Sequence, residues 1–83
     1  MQNLKPGDLF KVSSTQFPPS NIFEFSIYDL NTEAPVTVNN NSIFMFLGFK
    51  NSKFGNLLKI KVLYNGITYY LYIYPETDIT TIL

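Results

Sequence analysis

Residues 57–74, LLKIKVLYNGITYYLYIY, decide the fold. Two runs rich in branched and aromatic side chains flank Asn65-Gly66, and this dipeptide between two such runs is a strong short-range signal for a β-hairpin. A two-residue turn at Asn65 and Gly66 places Tyr64 opposite Ile67, and every further cross-strand pair follows by counting outward. The stretch therefore predicts an antiparallel hairpin with a defined register.

The predicted register gives the hairpin an apolar face and a mixed face. The apolar face, which we assign to the core, pairs Tyr64 with Ile67, Val62 with Tyr69, Ile60 with Leu71 and Leu58 with Ile73. The mixed face pairs Leu63 with Thr68, Lys61 with Tyr70, Lys59 with Tyr72 and Leu57 with Tyr74. A slip by one residue would move both lysines into the core, so the cost of burying charge favours this register.

Short β-rich runs separated by turn signals fill the rest of the chain. We expect strands over residues 9–13, 22–30, 36–38, 42–50 and 79–82, turns over 5–8, 39–41 and 75–78, and connecting segments over 14–21, 31–35 and 51–56. The asparagines of 39–41 suit a turn because Asn tolerates positive φ. Residues 43–47 are apolar on both faces, which predicts a strand covered on both sides. Gly48 inside that run predicts a bend or bulge.

The composition agrees with an all-β fold and excludes several kinds of chemistry. A chain of 83 residues is one small domain, which we place over 1–83. Ile, Val, Thr, Phe and Tyr dominate, as is typical of strands. The sequence has no His, Cys, Trp or Arg. Without thiolate or imidazole to act as nucleophile, general base or zinc ligand, we expect no enzyme, no cofactor and no metal site.

The chain carries few charges for its size. Charged residues make up 14% and hydrophobic residues 46%, whereas an ordinary soluble domain is about 25% charged. Either Asn, Thr, Ser and Tyr solvate the surface, or part of it is covered in a homo-oligomer, which is the interpretation we favour. Because we find no signal peptide and no apolar run that could span a membrane, we expect a cytoplasmic or virion location. The frequent Asn, Lys, Ile, Phe and Tyr suggest an AT-rich genome.

Three short segments resemble those of SH3-like small β-barrels. Residues 5–12, KPGDLFKV, look like the opening strand of these barrels, and 46–49 with 63–66 look like their central strands. A single turn before a short last strand, here 75–78, is also typical of them. The resemblance implies an SH3-like or related Sm-like barrel of five to seven short, bent antiparallel strands. Sm-like proteins usually have a basic residue where this chain has Asn65, so RNA binding is not carried over.

The mixed face of the hairpin is the candidate site. It carries Lys59, Lys61, Tyr70, Tyr72 and Tyr74, with Lys50 and Lys53 in or near the preceding loop. These residues could bind nucleic acid by stacking and phosphate contacts, form an oligomer interface, or be ordinary cross-strand pairs. Zero net charge and the absence of Arg count against nucleic acid.

Our first hypothesis is a non-catalytic structural or protein-interaction module that acts as a homo-oligomer through edge-strand pairing. An alternative is an Sm-like binder of RNA or single-stranded nucleic acid that uses Tyr70, Tyr72, Lys59 and Lys61. A further alternative is a small structural subunit of a phage or virus particle. The three interpretations of the mixed face differ in what covers it: a second copy, a nucleic acid or solvent.

Overall fold

The computed structural model describes residues 4–13, 22–50, 57–73 and 79–82. Every regular element within these ranges is a β-strand. The strands are β1 Leu9–Val12, β2 Glu24–Asp29, β3 Pro35–Asn39, β4 Phe44–Lys50, β5 Leu58–Tyr64, β6 Ile67–Ile73 and β7 Ile79–Ile82. They form one antiparallel sheet in the order β3-β2-β6-β5-β4-β1-β7, curled into a half-barrel. The all-β prediction is confirmed, and the half-barrel is compatible with a small β-barrel.

The β5–β6 hairpin has the predicted register throughout its described length, from Tyr64 opposite Ile67 to Leu58 opposite Ile73. Asn65 and Gly66 both have positive φ, 51° and 77°, as a type I′ turn requires. The predicted apolar face is the core face, with the exception of Ile67, which is 48% exposed beside the turn. The predicted pair of Leu57 with Tyr74 lies outside the described residues.

The core fills the inner, concave face of the curled sheet. Its fully buried side chains are Phe10, Ile27, Phe44, Phe46, Ile60, Val62 and Leu71. Phe44 lies at its centre, with ring centroids 5.7 Å from Phe10, 6.1 Å from Phe25 and 5.2 Å from Tyr64. Strands from both halves of the sequence therefore meet at this ring, and apolar burial of this kind is the main stabilising contribution to the fold.

Strand β4 is covered on one face only, which corrects the expectation for residues 43–47. Phe44 and Phe46 are buried, but Met45 and Leu47 on the opposite face are half-buried, and Ile43 before the strand is 46% exposed. The reason is that the described residues form a single sheet, which shields its concave side alone. The predicted bulge is confirmed, because the pairing with β5 shifts register between Phe46 and Gly48.

The described turns agree with prediction in position, although one has a different cause. At residues 5–8 the N–H of Asp8 donates to the Lys5 carbonyl at 2.9 Å, and Gly7 has a φ of 97°. In the turn after β3, no Asn has positive φ. Instead, the Asn39 side-chain oxygen accepts the N–H of Asn41 at 2.8 Å, so local hydrogen bonding by Asn forms this turn.

The segments predicted over 14–21, 51–56 and 75–78 lie outside the described residues. Within the described ranges, β3 and β7 are the two edges of the sheet. The same ranges contain no helix with the length and apolarity needed to cross a bilayer.

Candidate functional site

The described members of the predicted site share the outer, convex face of the sheet, opposite the core. Lys59 lies opposite Tyr72 and Lys61 opposite Tyr70, while Lys50 on β4 lies opposite Lys59. Lys50 is exposed and the other four are half-buried. Lys53 and Tyr74, the remaining candidates, lie outside the described residues. The register of three neighbouring strands thus brings five of the predicted residues together.

Lys59 lies against two of the tyrosine rings. Its Nζ is 4.1 Å from the centroid of the Tyr70 ring and 5.6 Å from that of Tyr72, within the range of a cation–π interaction. This is the geometry expected of a lysine packed on its cross-strand neighbours. The ammonium covers a face of the Tyr70 ring, so a base could stack on that face only after displacing Lys59.

Tyr28 of β2 belongs to the same cluster, although it was not among the predicted site residues. It lies opposite Tyr70, and its ring meets the Tyr72 ring edge-on at a centroid distance of 5.7 Å. The alternation of β2 predicts that Tyr28 points away from Phe25 and Ile27. No local signal, however, indicates that β2 lies beside β6, because the two strands are far apart in the sequence.

An open groove of about 850 Å³ runs between β2 and the β5–β6 hairpin. It is lined by Phe25, Ser26, Tyr28, Glu33, Leu57, Lys59, Tyr70 and Tyr72. Its walls are largely aromatic, with one ammonium from Lys59 and one carboxylate from Glu33. We call it the tyrosine groove. Binding sites are typically lined by aromatic and apolar side chains together with a small number of charged groups.

Glu33 is placed in the groove wall by the turn between β2 and β3. The N–H groups of Thr32 and Asn31 donate to Asp29 Oδ1 at 3.0 and 2.8 Å. These hydrogen bonds, with that of Thr32 the larger cause, lower the pKa of the Asp29 carboxyl because they stabilise its ionised form. Glu33 closes the turn with a φ of 61° and donates its N–H to the Asp29 carbonyl at 2.9 Å.

The outer face also has an apolar row that sequence analysis missed. Leu63, Met45, Leu9 and Ile82 lie opposite one another across β5, β4, β1 and β7. Leu9 is 37% exposed, and the other three are half-buried. We call these residues the apolar row. The four residues come from four different strands, so only the assembled sheet shows that they are neighbours.

The comparisons with known proteins give no assignment. No protein-family model, no curated protein and no solved structure matches the chain. The likeness to small β-barrels therefore rests on the curled antiparallel sheet. Among the described residues, no group of three His, Asp, Glu or Cys side chains is arranged to hold a metal ion.

Proposed function

We propose that the protein is a non-catalytic interaction module that self-associates by pairing the β7 strands of two copies. The observation that carries this proposal is that the apolar row ends at β7, an edge strand of the described sheet with the uncharged sequence ITTI. Natural sheets commonly protect their edges with charge, proline or a bulge. An apolar row that leads to an edge with neither charge nor proline fits a contact between copies.

The direction of the main-chain hydrogen bonds alternates along β1, and this shows which N–H and C=O groups of β7 point away from the sheet. The N–H of Phe46 donates to the Asp8 carbonyl at 2.8 Å, so the even-numbered residues of β1 face β4 and the odd-numbered ones face β7. With Leu9 opposite Ile82 and Lys11 opposite Thr80, the N–H and C=O groups of Ile79 and Thr81 point away from the sheet. These groups are available to pair with another strand.

The opposite edge strand, β3, is less suited than β7 to pair with a strand of another copy. Pro35 has no N–H, and Asn39 uses both main-chain groups locally: its N–H donates to Ser42 Oγ at 3.3 Å, and its carbonyl accepts the Ser42 N–H at 2.9 Å. Pairing of β7 with β7 is therefore favoured over pairing of β3 with β7. The first arrangement has two-fold symmetry and gives a closed dimer, whereas the second would give a ring or filament.

Sedimentation velocity across a micromolar concentration series tests the proposal. We expect a monomer–dimer equilibrium that Thr81→Pro shifts to monomer, because this variant lacks an outward N–H that would pair with the second copy. The matched control is Thr37→Pro, which removes an outward N–H at the opposite edge, β3, and should leave the dimer intact. A wild-type protein that sediments as a monomer at every concentration would exclude self-association.

Binding of single-stranded nucleic acid is the second candidate. It is supported by Lys50, Lys59 and Lys61, which lie next to one another on the outer face beside the tyrosine groove. If phosphates are contacted, oligo-U or oligo-A should bind at about 50 mM salt and bind much more weakly as salt increases. Changing Lys59 and Lys61 to Ser should then reduce the salt slope. Absence of binding at low salt would exclude this candidate.

A further inference from the structure

We propose that Asn65 is a site of spontaneous deamidation, in which the main-chain nitrogen of Gly66 attacks the Asn65 side chain, and that the folded hairpin slows this reaction. The site lies at the turn between β5 and β6, whereas the proposed contact between copies lies at β7, so this inference does not depend on self-association. It rests on the dipeptide itself, on its exposure and on the backbone conformation of the turn.

The chemistry requires an asparagine that is followed by a residue with an unobstructed main-chain nitrogen. The Gly66 nitrogen gives up its proton and forms a bond to Cγ of Asn65. The Cγ–N bond of the side-chain amide then breaks, the departing nitrogen takes up a proton, and ammonia leaves. One water molecule opens the resulting succinimide ring to aspartate or to isoaspartate. Asn65 is the only asparagine in the sequence that precedes glycine, and glycine has no Cβ to obstruct the attack.

The turn is accessible to the water that the reaction consumes. Asn65 and Gly66 are both exposed. Apart from its chain neighbours, no atom of the described residues lies within 4 Å of the position that a Cβ on Gly66 would occupy. The strand pairing closes with Tyr64 opposite Ile67, so in this two-residue turn the N–H of Gly66 takes no part in the ladder. Burial and ladder hydrogen bonds therefore do not protect the dipeptide.

The backbone conformation of the turn holds the reacting atoms apart. Closure of the five-membered ring brings the Gly66 nitrogen and the Asn65 Cβ to the same side of the bond between Cα and the carbonyl carbon. In a type I′ turn the first central residue has a ψ of about 30°, which places these two atoms on nearly opposite sides of that bond. Asn65, with a φ of 51°, must therefore leave the turn conformation before Gly66 can attack.

Ring contacts beside the turn keep it closed. Tyr64, the residue before Asn65, packs against Phe44 at a centroid distance of 5.2 Å and against Tyr69 at 6.3 Å. Opening of the turn pulls on these contacts, so only a small fraction of molecules has an open turn at any moment. The rate of deamidation in the folded protein should follow this fraction.

The two products differ in their effect on the hairpin. Aspartate preserves the turn, because Asp-Gly also favours type I′ geometry, and it adds a negative charge. Isoaspartate carries the main chain through Cβ and thus adds an atom to the turn, so that two residues no longer close it between Tyr64 and Ile67. A hairpin that opens and reacts in this way does not regain its native turn.

Trypsin digestion isolates the site for mass spectrometry. Cleavage after Lys61 releases residues 62–83, in which Asn65 is the only side-chain amide, whereas no asparagine of the reference peptide 12–50 precedes glycine. The protein is incubated at mildly alkaline pH, either folded or unfolded in guanidinium chloride, before digestion. In denaturant we expect 62–83 to gain the mass of an amide-to-acid change faster than 12–50 does. In the folded protein, conversion of 62–83 should be at least about tenfold slower than in denaturant.

Two variants test the nucleophile and the restraint separately. Gly66→Ala obstructs attack by the main-chain nitrogen but not direct hydrolysis by water, so conversion in denaturant should fall about tenfold. Phe44→Ala removes a ring that holds Tyr64 and should speed conversion under folding conditions at least about threefold, while its control Phe49→Ala should leave the rate unchanged. The comparison of folded with denatured wild type needs no variant. No conversion of 62–83 in denaturant, an undiminished rate in Gly66→Ala, or equal rates in folded and denatured wild type would overturn the inference.

Discussion

Two described residues other than glycine adopt left-handed backbone, and they differ in how clearly the sequence indicates them. Asn65, at φ 51°, precedes glycine between two β-rich runs, and this pattern predicts its turn. Glu33, at φ 61°, carries no such signal, because glutamate rarely adopts this conformation. Its turn forms around the Asp29 carboxylate, so the conformation of Glu33 follows from the structure of its neighbours.

Gly66→Val should destabilise the protein by roughly 1 kcal/mol or more, because a branched side chain resists a φ of 77°. The measurement is the free energy of unfolding from urea denaturation. Gly66→Asn is the control, since Asn tolerates this conformation and should cost less. Equal stability of Gly66→Val and wild type would show that the chain does not turn at Asn65-Gly66.

Asp29 should make stability depend on pH in the acid range. Hydrogen bonds from Thr32 and Asn31 lower its pKa in the folded protein below the ordinary 3.8. Their stabilising contribution is therefore complete above the pKa of the unfolded chain and is lost as pH falls through the lower pKa of the folded state. We expect the urea midpoint of wild type to fall more steeply below pH 3.8 than that of Asp29→Asn. Parallel curves for the two proteins would contradict this expectation.

At the scale of the elements, strand pairing could be predicted only where a local sequence signal specifies it. The β5–β6 hairpin followed from Asn65-Gly66 and from two lysines that must stay out of the core, so its pairing could be derived residue by residue. The position of β2 beside β6 could not be derived, since neither strand contains a turn that links it to the other. Half of the tyrosine groove depends on that contact, and this is why Tyr28 was missed.

The hydrogen-bond alternation of β3 predicts different effects for proline at adjacent positions. The N–H of Val36 faces Ile27 of β2, so Val36→Pro leaves the Ile27 carbonyl without its partner and should cost about 1–3 kcal/mol. The N–H of Thr37 points away from β2, so Thr37→Pro should cost distinctly less. Urea denaturation of both variants provides the measurement. A larger loss of stability in Thr37→Pro than in Val36→Pro would mean that the N–H of Thr37, and not that of Val36, faces β2.

At the scale of the whole molecule, the strand order creates two surfaces on the outer face, the cluster of tyrosines and lysines and the apolar row. The order β2-β6-β5-β4 gathers the tyrosines and lysines, and the continuation β4-β1-β7 extends the apolar row to the edge. We therefore propose that a second copy pairs at β7, the edge to which the apolar row leads. The proposal keeps the edge-strand pairing of the first hypothesis and assigns it to β7, whereas an oligomer contact made by the tyrosines was one interpretation of the mixed face.

Phe44→Ala should destabilise the whole domain by about 3–5 kcal/mol, because it leaves a cavity among rings contributed by β1, β2 and β5. The control is Phe49→Ala on the same strand. Phe49 is 52% exposed, and its loss should cost only about 1 kcal/mol. The free energies of unfolding of both variants test this difference. Similar values would mean that Phe44 is not the centre of the core.

The sequence by itself determined the strand class, the hairpin and its register, the bulge at Gly48 and the mixed face with its lysines and tyrosines. These features depend on side-chain alternation and on turns that span a few residues. Tertiary structure alone decided the sheet order, and with it the addition of Tyr28 to the groove and the apolar row. The physical reason is that these neighbours are joined by pairing between distant strands, which is selected by burial of the shared core and leaves no local pattern in the chain.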